Sequence, residues 1–132
     1  MTGDNSPSDL PEVYHSLSAS RRCHVIRFLA NTDEDQLSIR TLAREITAIE
    51  QDVPLKHATG EPYRNVYNAL SQTHLPTLSE SGIIIYDPDR QTVTAGPNLD
   101  IASLLLVLNE ATFQTLQGNS LPGEFDEPST TD

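Results

Sequence analysis

The chain has 132 residues, 36% of them hydrophobic, with 19 acidic against 8 basic residues and a formal net charge of −11. That length suits one domain. No run approaches the roughly 18 consecutive apolar residues of a membrane span, and the single Cys23 excludes an internal disulfide. Residues 1–9 form a polar tail lacking the charged and apolar regions of a secretory signal, so a soluble protein of a reducing cytoplasm is expected.

In chain order, residues 10–17 place Leu10, Val13, Tyr14 and Leu17 at i, i+3, i+4 and i+7, with Pro11 suited to a first helical turn. A short amphipathic helix is expected there. Ser18 or Ser20 can cap a second helix reaching about residue 30, with an apolar stripe of Val25, Ile26, Phe28 and Leu29 beside Arg21, Arg22 and Arg27. Residues 31–36 read as a polar, acidic turn. Ser38 then opens a third helix to about residue 51, with Leu42, Ala43, Ile46 and Ile49 on one side. Residues 52–62, holding two prolines and Gly60, predict a loop longer than a minimal helix-turn-helix connection.

From Tyr63 the spacing Tyr63, Val66, Tyr67, Leu70 and His74 predicts a fourth helix to residue 74, bent or restarted at Pro76. Gly82 lets that helical segment stop, the β-branched and aromatic run 83–86 is a strand, and 92–95 is its hairpin partner across the turn 87–90. A last helix over about 99–116 contains Leu104-Leu105-Leu106-Val107-Leu108 and is apolar all round for more than a turn. It has more apolar surface than one side can cover. A homodimer contact through Leu104, Leu105 and Leu108 is favoured, with burial inside the domain as the alternative. Residues 117–132 collect Gly, Pro, Ser, Thr and four acids, a composition expected to remain disordered.

This order of elements predicts a mainly α fold with a small β-hairpin, a winged helix-turn-helix. It carries an added N-terminal helix and a hydrophobic C-terminal dimerisation helix. The expected boundaries are 1–9 disordered tail, 10–96 winged domain, 97–116 C-terminal helix and 117–132 disordered acidic tail. Residues 17–22 (Leu-Ser-Ala-Ser-Arg-Arg) and 38–46 (Ser-Ile-Arg-Thr-Leu-Ala-Arg-Glu-Ile) carry a family resemblance. So do Val66-Tyr67-Asn68-Ala69-Leu70, His74-Leu75-Pro76-Thr77-Leu78 and the Gly82 to Asp87 strand. Over about residues 14–95 the chain resembles the haloarchaeal winged helix-turn-helix domains of unknown function that are assigned to transcriptional regulation. The resemblance implies the fold, a salt-loving source and DNA binding.

The charge pattern bears on the same question. Residues 18–64 carry seven acids and seven bases, whereas 65–132 carry nine acids and only Arg90 as a base. An acidic surface of this kind suits a salty cytoplasm, where screening acts beyond about 3 Å at 1 M; an acidic protein of an ordinary cell is the alternative. On the fourth helix, the side opposite Val66 and Leu70 presents Arg64, Asn65, Asn68, Ser71 and Gln72. These side chains are able to hydrogen-bond base edges in a major groove. Arg40, Thr41 and Arg44 on the preceding helix are expected on phosphates, and Arg90 at the hairpin tip, where a wing would reach a minor groove. The competing view is that these are ordinary solvated helix faces.

Catalytic signals are absent. His15, His24, His57, His74 and Cys23 lack zinc-site spacing, and no phosphate loop, nucleophile elbow or paired-carboxylate motif occurs. No enzyme activity, metal or cofactor is therefore expected. His74 and Cys23 read as packing residues, with a thiol activated by Arg22 as the alternative for Cys23. Two functions remain: a dimeric transcriptional regulator reading double-stranded DNA with the helix near 63–74, or a protein-interaction module on the same fold with no DNA role.

Overall fold

The structure, a computed structural model, describes the backbone of residues 10–116 and the side chains of residues 10–110. The expectations of disorder at 1–9 and 117–132 lie outside those residues. Along the chain run α1 (Leu10–Ser16), α2 (Ser20–Ala30), β1 (Gln36–Ser38), α3 (Ile39–Gln51) and a 3-10 turn (Leu55–His57). Then come α4 (Gly60–Ala69), a π-helical turn (Leu70–His74), α5 (Leu75–Glu80), β2 (Ile84–Asp87), β3 (Thr92–Ala95) and α6 (Leu99–Leu116). The protein is mainly helical with one small antiparallel sheet, an arrangement compatible with a winged-helix-like architecture. Among the described residues no helix is long and apolar enough to cross a membrane.

Ser38 starts α3 as its sequence suggests, its side chain accepting the Thr41 backbone N–H at 3.0 Å. It also ends a strand that the sequence did not reveal. The predicted turn 31–36 runs into β1, which pairs with β3 in the register Gln36↔Thr94, Leu37↔Val93, Ser38↔Thr92, giving sheet order β1-β3-β2. Three residues are too few to establish a period-two pattern. The inner row of Leu37, Val93 and Tyr86 faces the helices, while Ile85 points outward.

The rod from α4 to α5 is longer than predicted, beginning at Gly60 inside the expected loop and continuing past Pro76. Proline has no N–H to donate, and its ring collides with the carbonyl four residues back in a regular helix. The π-helical turn relieves that conflict: the Leu75 N–H bonds to Leu70 O, five residues back, and the helix passes Pro76 without a break. Gly82, at φ +77°, then turns the chain into β2, and an alanine Cβ there would stand 2.8 Å from Asn98 Nδ2.

Ile26, Leu42, Ile46, Leu70, Leu75, Leu78 and Ile83 are fully buried between the helices and the sheet. Each contributes about 2 kcal/mol relative to exposure. Leu99, Ala102 and Leu106 of α6 enter the same core.

Three sequence expectations need correction. Leu10 and Tyr14 are exposed, because α1 docks instead through Val13 and Ser16, whose hydroxyl meets Ser81 Oγ at 2.8 Å. Ile49 is exposed, since the buried side of α3 runs through Ile39, Leu42, Ala43, Ile46 and Thr47. Arg22 leaves the polar side shared by Arg21 and Arg27 and is buried. Its guanidinium bonds Ser16 O at 2.8 Å, Ser18 Oγ at 3.2 Å and His74 Nδ1 at 3.1 Å, tying α2 to the π-helical turn.

Candidate functional site

With Ser38 fixing the start of α3, Arg40, Thr41 and Arg44 emerge on its exposed side, one turn spanning the two arginines. Arg44 Nη2 donates to Leu55 O at 3.1 Å, so this side chain also holds the connection between α3 and α4. The wing arrives at the same place through the sheet. The Ser38↔Thr92 pair is followed by a bond from Ile39 N to Gln91 O at 3.0 Å, which carries Arg90 to the beginning of α3. Within the turn, Asp87 Oδ1 accepts the N–H groups of Asp89 and Arg90 at 3.1 and 3.2 Å, and Gln91 adopts φ 57°.

These segments enclose an open cleft of about 810 Å³ that Arg40, Arg44 and Arg90 line together with Ser38, Thr41 and Thr59. Tyr63 also lines it, and no carboxylate does. Beside it a groove of about 280 Å³ runs along α4, walled by Arg40, Tyr63, Arg64, Tyr67 and Asn68. The two tyrosine rings are 6.0 Å apart, tilted by 48°, and half-buried.

Thus Arg40, Thr41, Arg44 and Arg90 converge, and Arg64 and Asn68 join them through the groove. Asn65 and Gln72 are exposed but line neither hollow, and Ser71 is half-buried. Ser71 and Gln72 lie in the π-helical turn, where the larger angular repeat no longer continues the line from Arg64 to Asn68. Tyr63 and Tyr67 were missed as candidates because their spacing matches the buried face; half-burial at a groove gives them the same periodicity as core residues.

The remaining charges are arranged differently. Arg21 forms a two-pronged pair with Glu50, Nε to Oε2 at 2.7 Å and Nη2 to Oε1 at 2.9 Å, linking α2 to α3. That pairing raises the Arg21 pKa and lowers that of Glu50. Arg27 pairs with Glu110 of α6, and Arg22 is buried. The other five cations are Arg40, Arg44, Lys56, Arg64 and Arg90, and all belong to α3, α4, their connection or the wing. Among the described residues the first four have no carboxylate within ion-pair distance, and Arg90 Nε is 4.0 Å from Asp87 Oδ2.

A family profile described as a domain of unknown function (DUF7344) matches residues 14–94, from α1 to β3. The chain belongs to the DUF7344 family. No curated protein and no solved structure gives a significant match.

The matched region of this DUF7344 domain contains the whole cleft and groove. It also contains Cys23 and His74. Burial pushes the Cys23 thiol pKa up, outweighing the opposing pull of Arg27 and Arg22, and the thiol donates to Leu17 O at 3.3 Å. An activated thiol is therefore not supported. Burial, then the Arg22 and Arg21 charges, lower the pKa of His74, whose Nδ1 faces Arg22. Among the described residues no group of three His, Cys, Asp or Glu side chains is placed to hold a metal ion.

The predicted dimer residues lie on α6. Leu104 and Leu108 are exposed, and Leu105 is half-buried against the core. With Ile101, Val107 and Tyr14 of α1 they border an apolar surface that α1 and α6 share, where Tyr14 Oη donates to Asn109 Oδ1 at 3.2 Å.

Proposed function

We propose that this DUF7344 domain is a dimeric DNA-binding regulator of the winged-helix kind, working in a salty cytoplasm. In this reading α4 lies in the major groove of double-stranded DNA, with Arg64, Asn65 and Asn68 facing base edges and Ser71 and Gln72 at the far end of the contact. Arg40, Thr41 and Arg44 hold the backbone.

The observation that carries the proposal is the sorting of the cations. Arg21 and Arg27 are paired with carboxylates of other helices and Arg22 is buried, and the five others gather around α3, α4 and the wing, where the one ion pair among the described residues is Arg90 with Asp87 of its own turn at 4.0 Å. Cations held near each other, four of them with no ion-pair partner among the described residues, suit a polyanion, and the overall charge of −11 is then a property of the remaining surface. Glu61, one turn before Arg64 and Asn65, is the carboxylate on the α4 side, a residue type able to accept from cytosine N4. The dimer would form through the apolar residues of α6 and α1 that are exposed among the described residues.

The test is crosslinking and sequencing of DNA bound in the source cells, which keeps the intracellular salt intact. Discrete enriched sites that disappear in an Arg40→Ala/Arg64→Ala variant are expected. No enrichment over the input would refute DNA binding. It would favour a protein-interaction module, a reading that Glu61, Asp89 and the uncovered apolar surface support.

A further inference from the structure

We propose that Arg90 is the third arm of a single phosphate clamp with Arg40 and Arg44, and does not read a minor groove as a separate wing. For its polymer this inference rests on the DNA reading; the anion site itself does not. Beyond the last ladder pair, Ser38↔Thr92, the Ile39 N to Gln91 O bond holds the start of α3 against the end of the wing, so Arg40 and Arg90, each the next residue along, line one cleft. Like charges so placed repel unless an anion lies between them. No carboxylate lines the cleft, and the one ion pair at hand is a long, exposed one: Asp87 Oδ1 accepts the turn amides while Oδ2 stands 4.0 Å from Arg90 Nε, leaving the rest of that guanidinium open.

The geometry also fixes where Arg90 starts from. The Ile39 N to Gln91 O bond pins the end of the wing against the start of α3, so Arg90 lines the cleft that Arg40 and Arg44 line. Planar, multidentate guanidinium donors around one opening suit the two nonbridging oxygens of a phosphodiester, each of which can accept more than one hydrogen bond. Thr41 and Thr59 line the same opening. One strand's backbone would thus be fixed at one point from two directions, by α3 and by the wing, with the tyrosine groove beginning immediately beside it through the shared Arg40 and Tyr63.

Two measurements decide the matter, and they fail independently. The first uses inorganic phosphate alone: melting temperature is followed as potassium phosphate replaces potassium chloride at constant ionic strength. Phosphate stabilises folded proteins generally by exclusion, so the quantity read is the difference between the wild type and variants. The wild type is expected to gain more than Arg40→Ala or Arg90→Ala, and equal gains in all three overturn the clamp whether or not DNA binds.

The second measures duplex affinity against salt for both single variants and the double variant. A shared phosphate predicts that the double change reduces the steepness of log affinity against log salt by no more than one step of about 0.9, and that neither single change exceeds that step. Two independent steps, or loss of an A·T preference in Arg90→Ala, overturn the clamp while leaving DNA binding intact. Absence of duplex binding by the wild type overturns the DNA reading, and the phosphate measurement then decides the anion site by itself. Both side chains are exposed, and circular dichroism of the variants confirms that the fold is retained.

Discussion

Replacing Gly96 with alanine tests how tightly the wing is fastened to the rest of the domain. Gly96 follows β3, and its N–H donates to Ile83 O at 2.9 Å while Asn98 N donates to Gly82 O at 2.8 Å, so two backbone segments cross in contact. A Cβ at position 96 would stand 2.5 Å from Gly82 O, 2.8 Å from Ile83 C and 2.9 Å from Ile84 N. These are backbone atoms that cannot swing aside, and ordinary contact begins near 3.4 Å, so a segment has to move by about 0.9 Å. Such a shift strains both crossing hydrogen bonds, each worth about 1 kcal/mol, and adds an overpacking cost of about 1 kcal/mol or more. The expected loss is about 3 kcal/mol, a fall in melting temperature of about 12 °C for a domain of this size. Gly60→Ala is the control, since its Cβ meets nothing nearer than Pro62 Cδ at 3.9 Å and only its φ of +74° opposes the change. That left-handed penalty is about 1 kcal/mol. Thermal melts in concentrated KCl compare the two, and a Gly96→Ala protein no less stable than Gly60→Ala would refute the crossing argument.

Other outcomes follow from the same structure. Melting temperature should rise steeply with KCl, because 19 carboxylates against 8 cations repel one another when screening is removed; a flat response would show the acidity to be incidental. Leu104→Glu/Leu108→Glu should convert a dimer into folded monomers by light scattering in high salt, whereas a monomeric wild type would end the dimer proposal. Burial, followed by Arg22 for His74 and by Arg27 for His24, lowers both histidine pKa values. The unfolded chain therefore takes up protons first, and stability is full above the ordinary histidine value of about 6.5 and lost as pH falls below it toward the folded values. His74→Gln keeps an acceptor for Arg22 without the titration, so urea midpoints for this variant should fall less between about pH 7.5 and 5; equal falls would exclude His74 from the acid response.

The helices were legible because their apolar spacing is a local signal, as Leu42, Ala43 and Ile46 show for α3 and Val66 and Leu70 for α4. The hairpin was legible for the same reason, Ile83 and Val93 being buried on either side of a turn-forming Asp87-Pro88 pair. Strand β1 was not, since Ser38 serves two elements and its helix-capping role is the one a sequence displays. Arg22 was misplaced because an arginine in a helix is ordinarily solvated, and only the tertiary arrangement brings Ser16 O and His74 to its guanidinium. The residues proposed for phosphate and base contact could be listed singly from the sequence. That Arg90 and Arg40, 50 positions apart in the chain, line one cleft depends on the β1–β3 register and on the Ile39 to Gln91 bond. Such long-range pairing leaves no local periodicity to read.

The central claim is that α4 reads base edges while the α3 arginines hold the backbone. Binding-site selection on random duplexes in multimolar KCl tests it most directly, with the wild type, Asn68→Ala and Arg40→Ala compared side by side. Arg40 is chosen over Arg44 because Arg44 also braces Leu55 O, and its removal would loosen the α3–α4 connection. The wild type should yield an enriched motif. Asn68→Ala should lose preference at one base position, a discrimination of about 1–3 kcal/mol, and Arg40→Ala should weaken all sequences about equally while keeping the motif. An Asn68→Ala motif identical to the wild type's would remove α4 from base reading, and no enriched motif from the wild type would contradict the account altogether.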